Sequence, residues 1–471
     1  MRGARVLRSL FSCLPCSLCA LLATFAAAAP SCKRTSSSGD AATEASAVSD
    51  ANVDAAPTLL PARCKPTEEG ATLAEGADLA DLEIGEAAPS RDGFAIGVVR
   101  KKDGQLVGSV AMASRDAAAV SFVDLGAPYA DAPPPRPVTQ GETTYAFFYA
   151  RGDTPKPAPL AKAATRAVAE TRELSLYRVA AGKAQLASTL AQQKDESLAF
   201  DAALAPGDKG MLVAWDEDSI GLLRGEIKVQ ALGADAKPLG PSRAASPSTS
   251  DAELPRLARR RGGYWLVWVA RRLEAPDAAL DPGHEVETPG EKRAFRWLEL
   301  AMLDERGAVV GAVKRLTSAT GHVSIFDLAA REGGAGREGG EVLDIIARDD
   351  EQTVDGSGGR VVRITVNGDV ADPPIAIVAD AVGRGVPDLL AGMPAGAGAG
   401  DGASAPAWLV YADTTDHVRL LPLDATRSPL APPSAEDALD KSRPLLASAS
   451  GLLVAVPAEP KRQLKLVPCA R

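Results

Sequence analysis

The sequence predicts an all-β protein built from a repeated unit of about four strands, and two observations carry this prediction. Residues 210–233 contain two apolar or alternating runs bounded by Gly and Asp, which is typical of two β-strands joined by an acidic loop. The pattern returns along the chain and ends in turns near residues 182, 233, 307, 368 and 424. Because such a unit cannot bury both of its faces alone, the repeats are expected to form a stacked or radial array.

The first two units are the most distinct in strand pattern. Four strands are predicted for the first, at residues 81–87, 94–100, 106–113 and 120–125. The proline cluster Pro133–Pro137 separates it from the second unit, because proline interrupts a strand. In the second unit three strands are predicted, at residues 145–150, 173–179 and 184–190, and the first strand is too short to predict.

The later units follow at similar intervals. They cover residues 197–245, 252–320, 323–380 and 385 to about 433. The last unit, residues 443–467, shows three predicted strands, one fewer than the repeat requires. A radial array can complete its last sheet with a strand from the N-terminal end, which removes an exposed sheet edge, and residues 67–74 are the candidate strand.

This succession of about seven units between residues 67 and 468 resembles the β-propeller families. The resemblance is architectural, because the Gly-His to Trp-Asp spacing, the Ser-x-Asp-x-Gly-x-Thr-Trp box and regularly spaced double glycines are missing from the sequence. It implies one propeller domain over residues 64–471, with the blades closed by an N-terminal strand. The alternative is a tandem of β-sandwiches, which would need deep linkers, and residues 133–137 offer one such linker.

The first 31 residues have the pattern of an export signal. Arg2, Arg5 and Arg8 precede an uncharged stretch from Ser9 to Ser31 that contains the small-residue run Ala26–Ala29. The alternative is an uncleaved membrane anchor, since the uncharged stretch is just long enough to span a bilayer. Its many Ala, Ser and Cys residues make it weakly hydrophobic, which favours the cleaved signal.

Residues 29–32, Ala-Pro-Ser-Cys, resemble a degenerate bacterial lipobox, in which the cysteine becomes lipidated and starts the mature chain. Residues 32–63 are rich in Ser, Thr, Ala and Asp and are predicted to form a flexible tether. The resemblance implies a lipid on Cys32 and an envelope lipoprotein of the outer membrane or facing the periplasm. A secreted protein without the lipid is the alternative.

The six cysteines divide by position. Cys13, Cys16 and Cys19 lie inside the predicted signal, so their metal-like spacing carries no weight. If Cys32 is lipidated, Cys64 and Cys469 remain, one at each end of the predicted propeller. In an oxidising compartment we expect these two to form a disulfide that closes the ring.

Charge and composition restrict the partners. The whole chain carries a net charge of −9, and a chain that starts at residue 32 carries −12. A nucleic-acid partner is therefore disfavoured, since the sequence also lacks a basic run with an aromatic platform. Aromatic residues make up 4% of the chain, so the core is expected to consist mainly of Val, Leu and Ile.

The candidate binding face follows from the propeller resemblance. Connections between the second and third strands of all blades emerge on one face, and the two longest insertions, residues 151–172 and 271–294, are of this kind. The corresponding connections in other units begin with carboxylates that could hold Ca²⁺, although solvated turns in an acidic protein are the favoured explanation. These candidate residues are Asp216, Asp218, Asp349, Asp350, Asp413 and Asp416.

The sequence does not identify a reaction. His284, His322 and His417 lie in different units, and the chain has no nucleophile elbow. We therefore predict a monomeric, non-enzymatic binding or scaffolding propeller, without a required cofactor, for an unknown envelope protein or glycan. The alternative is a secreted propeller hydrolase or lyase that acts on glycans through a pair of carboxylates.

Overall fold

The computed structural model describes a large part of the compact unit Thr58–Arg471. The described residues are 63–64, 70–127, 133–151, 171–194, 198–218, 224–272, 295–323, 325–332, 340–349, 359–382, 388–391, 407–415, 417–424, 426–430, 434–435, 439, 441–448 and 451–470. The predicted signal and nearly all of the predicted tether lie outside these residues. Within them, no helix is long and apolar enough to cross a membrane.

The described chain folds as an all-β propeller of seven antiparallel blades, which confirms the fold class predicted from the sequence. Blade 1 contains β3 (Glu83–Ser90), β4 (Gly93–Lys102), β5 (Gln105–Ser114) and β6 (Val120–Gly126). Blade 2 contains β7 (Arg136–Gln140), β8 (Thr143–Arg151), β9 (Thr171–Ala180) and β10 (Lys183–Lys194). Blade 3 contains β11 (Phe200–Leu204), β12 (Gly210–Asp218), β13 (Gly225–Gly233) and β14 (Arg243–Ala244).

The remaining blades repeat this order. Blade 4 contains β15 (Ser250–Arg260), β16 (Gly263–Arg272), β17 (Arg296–Leu303) and β18 (Val309–Arg315). Blade 5 contains β19 (Ile325–Glu332), β20 (Glu341–Asp349), β21 (Gly359–Asn367), β22 (Val370–Ala371) and β23 (Ile375–Val382), the last two both pairing with β21. Blade 6 contains β24 (Asp388–Ala391), β25 (Ala407–Ala412), β26 (Val418–Leu423) and β27 (Ser434–Ala435).

Blade 7 is closed by the N-terminal end of the domain. Its own strands are β28 (Arg443–Ser448), β29 (Gly451–Ala458) and β30 (Lys461–Val467). The fourth strand is β2 (Ala71–Glu75), which pairs with β30 and overlaps the predicted closing segment over residues 71–74. This closure leaves blade 7 with the same four strands as its neighbours and confirms the prediction of a borrowed strand.

A second, shorter pair lies beside the closure. It joins β1 (Arg63–Cys64) to β31 (Cys469–Ala470), with Cys64 directly opposite Cys469. Cys64 is buried, with 6% of its surface exposed. The register thus brings together the two cysteines that the sequence predicts to pair, and the bond between them remains a prediction.

One strand differs from the sequence prediction. The first strand of blade 2 is β7, which begins at Arg136 inside the proline cluster and contains Pro137. Proline is tolerated here because β7 pairs on one side only, with β8, so its other edge needs no ladder hydrogen bond. The prolines therefore lead directly into β7, one of the strands that line the central channel of the propeller.

Apolar residues fill the interfaces between neighbouring blades. Trp215 packs between blades 2 and 3, Trp268 between blades 3 and 4, and Trp265 between blades 4 and 5. Each is at most 1% exposed. Val, Leu and Ile supply most of the remaining contacts, as the composition predicts, and seven such clusters connect the blades around the ring.

The turn between the third and fourth strands also connects blades. In blade 4, Asp304 Oδ1 accepts hydrogen bonds from the backbone N–H groups of Arg306 and Ala308, at 2.9 and 2.8 Å. Gly307 in this turn has φ +78° and approaches Leu212 of blade 3, where a Cβ on the glycine would lie 3.0 Å from the leucine. A close approach in the left-handed region is what glycine permits.

Blade 6 has the same turn with an arginine at the left-handed position. Arg427 has φ +62°, and its side chain, 4% exposed, lies 3.7 Å from the carboxylate of Asp344 in blade 5. Asp344 is fully buried and also binds Arg331 at 2.5 Å and Thr365 at 3.2 Å. Blades 5 and 6 are therefore joined by a buried ion pair where blades 3 and 4 are joined by apolar packing.

Candidate functional site

Charged side chains converge in the central channel, which is lined by the first strand of each blade. We use the name channel network for five residues that come from blades 1 to 5: Glu86, Arg136, Asp201, Arg256 and Asp327. Four of these pair with second-strand residues that lie three to five positions before the end of that strand. The second strands end at the face of the propeller where second and third strands connect. At about 3.3 Å per residue, the channel network lies roughly 10–17 Å below that face.

The contacts within the channel network reach across the ring. Glu86 Oε1 lies 2.5 Å from Arg136 Nη1 and 2.5 Å from Arg256 Nη1, and Arg136 Nη2 lies 2.6 Å from Asp201 Oδ1. Blade 1, which carries Glu86, and blade 4, which carries Arg256, are three positions apart in a ring of seven. A direct contact between them means that these side chains reach across the ring and meet near its axis.

Local backbone features place Glu86 at the axis. The register between β3 and β4 shifts between Ile84 and Ala87, so that Gly85 and Glu86 form a bulge without direct partners in β4. A bulge redirects a side chain out of the regular alternation of a strand. Glu86 is therefore free to project toward the channel.

Glycine permits the approach of Arg136 to Glu86. A Cβ on Gly97 would lie 1.5 Å from the carbonyl oxygen of Pro135, and a Cβ on Gly85 would lie 2.8 Å from Pro134. The proline segment before β7 therefore packs directly on the backbone of β3 and β4. This packing brings Arg136, the first residue of β7, to the level of the bulge.

A second bulge lies beside Arg256 and is held by one of the residues predicted to bind a ligand. The register between β15 and β16 shifts between Glu253 and Arg256, and Leu254 in this bulge has φ +56°. Asp216 Oδ2 accepts a hydrogen bond from Leu254 N at 3.0 Å, while its Oδ1 accepts one from Ala199 N at 2.7 Å. Asp216 thus stabilises the strained backbone next to Arg256.

The carboxylates of the channel network have different pKa values because their surroundings differ. Burial alone would raise the pKa of Glu86, but the charges of Arg136 and Arg256 outweigh it and lower the pKa to about 2. Glu86 lies deep in the channel, yet 42% of its side-chain surface is open to solvent there, so these charges are partly screened.

For Asp201 and Asp327 burial dominates. It raises the pKa of Asp201, against the opposing charges of Arg136 and Arg256, and it raises the pKa of Asp327, against the charge of Arg256. The side chain of Asp201 is 1% exposed, and its Oδ2 accepts a hydrogen bond from Leu257 N at 2.6 Å. Asp327 Oδ2 accepts one from Leu389 N at 2.8 Å. Each aspartate therefore also connects its first strand to the first strand of the next blade.

Two of the other predicted carboxylates, Asp349 and Asp413, lie in different blades. Asp413 is 5% exposed and binds Thr415, the backbone N–H of His417 and Arg419 within its own turn. Burial alone would raise the pKa of Asp413, but these hydrogen bonds outweigh it and hold the pKa below its usual value. Asp349 is 6% exposed and lies 3.5 Å from Arg360.

Three of the predicted carboxylates lie wholly or partly outside the described residues. Asp350 and Asp416 lie outside the described residues, as does the side chain of Asp218 at the end of β12. Most of the two long insertions also lies outside, at residues 152–170 and 273–294. Within the described part of the chain, no group of three or more His, Cys, Asp or Glu residues has a metal-binding arrangement. The Ca²⁺ hypothesis therefore gains no support from Asp216, Asp349 or Asp413.

Sequence reasoning missed the channel network. A weak signal was present for Asp201, the one charged residue of its first strand, whereas Arg256 and Asp327 lie in first strands that carry other charged residues. Charged residues are also common at strand ends in this acidic chain, so the signal does not stand out. Contacts such as that between Glu86 and Arg256, 170 residues apart, follow from ring closure alone.

Comparison with known proteins does not assign the chain to a family. No family model matches the sequence, and no curated protein matches it. Solved structures do match. An endo-arabinase from Bacteroides thetaiotaomicron is 10% identical with a TM-score of 0.31, and the match covers 64% of this chain and 100% of that one. A Bombyx mori GH32 β-fructofuranosidase is 10% identical with a TM-score of 0.31, and the match covers 88% and 94%.

A neuraminidase-like protein of subtype N11 from an influenza virus of the flat-faced bat also matches. It is 10% identical with a TM-score of 0.41, and the match covers 79% of this chain and 92% of that one. At these identities and TM-scores the similarity concerns the fold alone. The chemistry of the site has to be argued from its own residues.

Proposed function

We propose that this protein is a non-enzymatic binding propeller whose ligand enters the central channel and rests on the channel network. The observation that carries the proposal is the contact of Glu86 with Arg136 and Arg256, which places two arginines and a carboxylate near the axis of the ring. β8 and β16, which the two long insertions follow in the sequence, end on the face where second and third strands connect. We assign ligand entry to that face.

The protonation states favour binding over catalysis. Hydrolysis with two carboxyl groups needs one that is protonated and one that is free to act as a base or nucleophile. With a pKa of about 2, Glu86 is ionised at neutral pH, and it is held by two arginines. Asp201 is enclosed and binds backbone N–H groups. Neither residue meets the requirement for an acid that can reach a substrate.

A glycan hydrolase is the second candidate, and one observation favours it. Asp327, whose pKa burial raises, belongs to the same channel network as the ionised Glu86. Two carboxyl groups with separated pKa values are the arrangement from which acid and base roles are assigned. In this reading Asp327 is the acid and Glu86 is the base. Three of the matching solved structures are named as an endo-arabinase, a GH32 β-fructofuranosidase and a GH62 hydrolase. Because their TM-scores are low, the support for this candidate is Asp327 itself.

One experiment separates the two candidates. The protein is run in native gels that contain arabinan or xylan, and it is incubated with the same polysaccharides to measure newly formed reducing ends. Retardation without reducing ends supports the binding function. Release of reducing ends that is lost in Asp327→Asn, and kept in the exposed control Asp235→Asn, supports the hydrolase. If neither polysaccharide retards the protein or is cleaved, both candidates are wrong for these two glycans.

We also propose that the protein acts outside the cytoplasm, attached through a lipid on Cys32. This proposal is supported by the sequence, in which a predicted signal, a cysteine and a polar segment follow one another. The Cys32→Ala variant should leave the membrane fraction and should lose labelling by a fatty-acid probe. If the variant and the parent fractionate identically and neither is labelled, lipidation is wrong.

A further inference from the structure

Building on the binding function proposed above, we propose that the channel network is an anion site for a ligand with a carboxylate group, and that Glu86 occupies this site as an internal ligand. An incoming carboxylate would replace Glu86 between the two arginines. The inference rests on three features of the described residues: how the arginines converge, what holds them, and how Glu86 is attached.

The two arginines converge on a single oxygen. Arg136 Nη1 and Arg256 Nη1 each lie 2.5 Å from Glu86 Oε1, although they belong to blades 2 and 4. Charge-assisted contacts between guanidinium and carboxylate groups are among the strongest polar contacts in proteins. The position of Oε1 is therefore a site that accepts one carboxylate oxygen, whichever molecule supplies it.

Arg136 keeps a contact that does not depend on Glu86. Its Nη2 lies 2.6 Å from Asp201 Oδ1, and Asp201 is itself anchored by the backbone N–H groups of Ala202 and Leu257, each at 2.6 Å. Leu257 directly follows Arg256, so the same aspartate also anchors the strand that carries the second arginine. The side chains of Arg136 and Arg256 are 19% and 24% exposed, so neither is fully enclosed.

Glu86 is the least constrained member of the ion pairs. It lies in the bulge of β3, which lacks direct partners in β4, and 42% of its side-chain surface is exposed. Asp201, by contrast, is 1% exposed. If a ligand carboxylate takes the place of Glu86, the site keeps the same number of charges and Glu86 regains water. Replacement therefore avoids the cost of leaving an arginine buried and unpaired.

The test uses acetate, glucuronate and the neutral control glucose, at constant ionic strength, with the full chain and two variants of Glu86. Glu86→Ala should gain acetate binding, seen as a rise in Tm that increases with acetate concentration. Glu86→Gln removes the competing charge and should bind glucuronate at least tenfold more tightly than the parent does. Glucose should give no such gain.

The control is Glu142→Ala, which removes an exposed carboxylate that lies 3.1 Å from Arg91 and should create no acetate site. If both Glu86 variants fold, as judged by circular dichroism, and neither responds to acetate or glucuronate, the inference is wrong. If Glu86→Ala does not fold, Glu86→Gln decides alone. Retardation by arabinan or xylan without any anion response would leave the binding function standing and refute the anion site, so the two failures are distinguishable.

Discussion

Breaking the predicted bond between Cys64 and Cys469 tests how much ring closure contributes to stability. The two residues are direct register partners in a two-residue antiparallel pair. A bond there closes a loop of about 400 residues, and the chain-entropy relation gives about 20 cal/mol/K, or about 6 kcal/mol at 25 °C. Since whole domains are stable by roughly 5–15 kcal/mol, this bond would supply a large part of the total.

The measurement compares urea unfolding of the protein before and after reduction. Tryptophan fluorescence is a suitable signal because Trp215, Trp265 and Trp268 are fully buried and become exposed on unfolding. We expect reduction to lower the free energy of unfolding by about 4–6 kcal/mol, allowing for some native-state strain. The double variant Cys64→Ala/Cys469→Ala should resemble the reduced protein and should not respond to reductant.

Two results would refute this reasoning. Non-reducing peptide mapping that recovers Cys64 and Cys469 as separate, unlinked peptides would remove the bond itself. If the linked pair is recovered but reduction changes the free energy of unfolding by less than about 1 kcal/mol, the bond exists and the chain-entropy argument fails. In that case β2 and its pairing with β30 would hold the ring closed without covalent help.

Three further predictions concern packing and charge. Gly97→Ala would place a Cβ 1.5 Å from a backbone oxygen and should cost about 2 kcal/mol or more in thermal unfolding, whereas the control Gly240→Ala has open space. Asp344→Ala leaves Arg331 without its fully buried partner and should cost about 3–5 kcal/mol in urea unfolding; a loss below about 1 kcal/mol would contradict this. Because the folded-state pKa of Glu86 is lowered from 4.5 to about 2, its stabilisation is present above pH 4.5 and is lost as the pH falls toward 2. Glu86→Gln should flatten this part of the stability curve against pH, and an unchanged slope would show that other carboxyl groups cause it.

The sequence by itself determined the repeat and its closure, because both depend on local patterns. Alternation and apolar runs predict strands such as Gly263–Arg272, and Asp and Gly mark the turn after Arg296–Leu303. The shortage of one strand in the last unit also predicted that an N-terminal segment would complete it, and Ala71–Glu75 does so. Each strand is predicted from the residues within it, and the closure follows from counting the strands of the last unit.

The tertiary structure alone decided which charged residues meet. Alternation shows that a side chain leaves one face of a strand, but it does not show whether that side chain reaches the channel or a blade interface. Asp216 was predicted to be on a binding surface, yet its carboxylate holds the backbone of Leu254. Glu86 gave no periodic signal because it lies in a bulge, and its contact with Arg256 exists because ring closure brings distant first strands to one axis. Contacts of this kind depend on where whole blades lie, which local residue patterns do not encode.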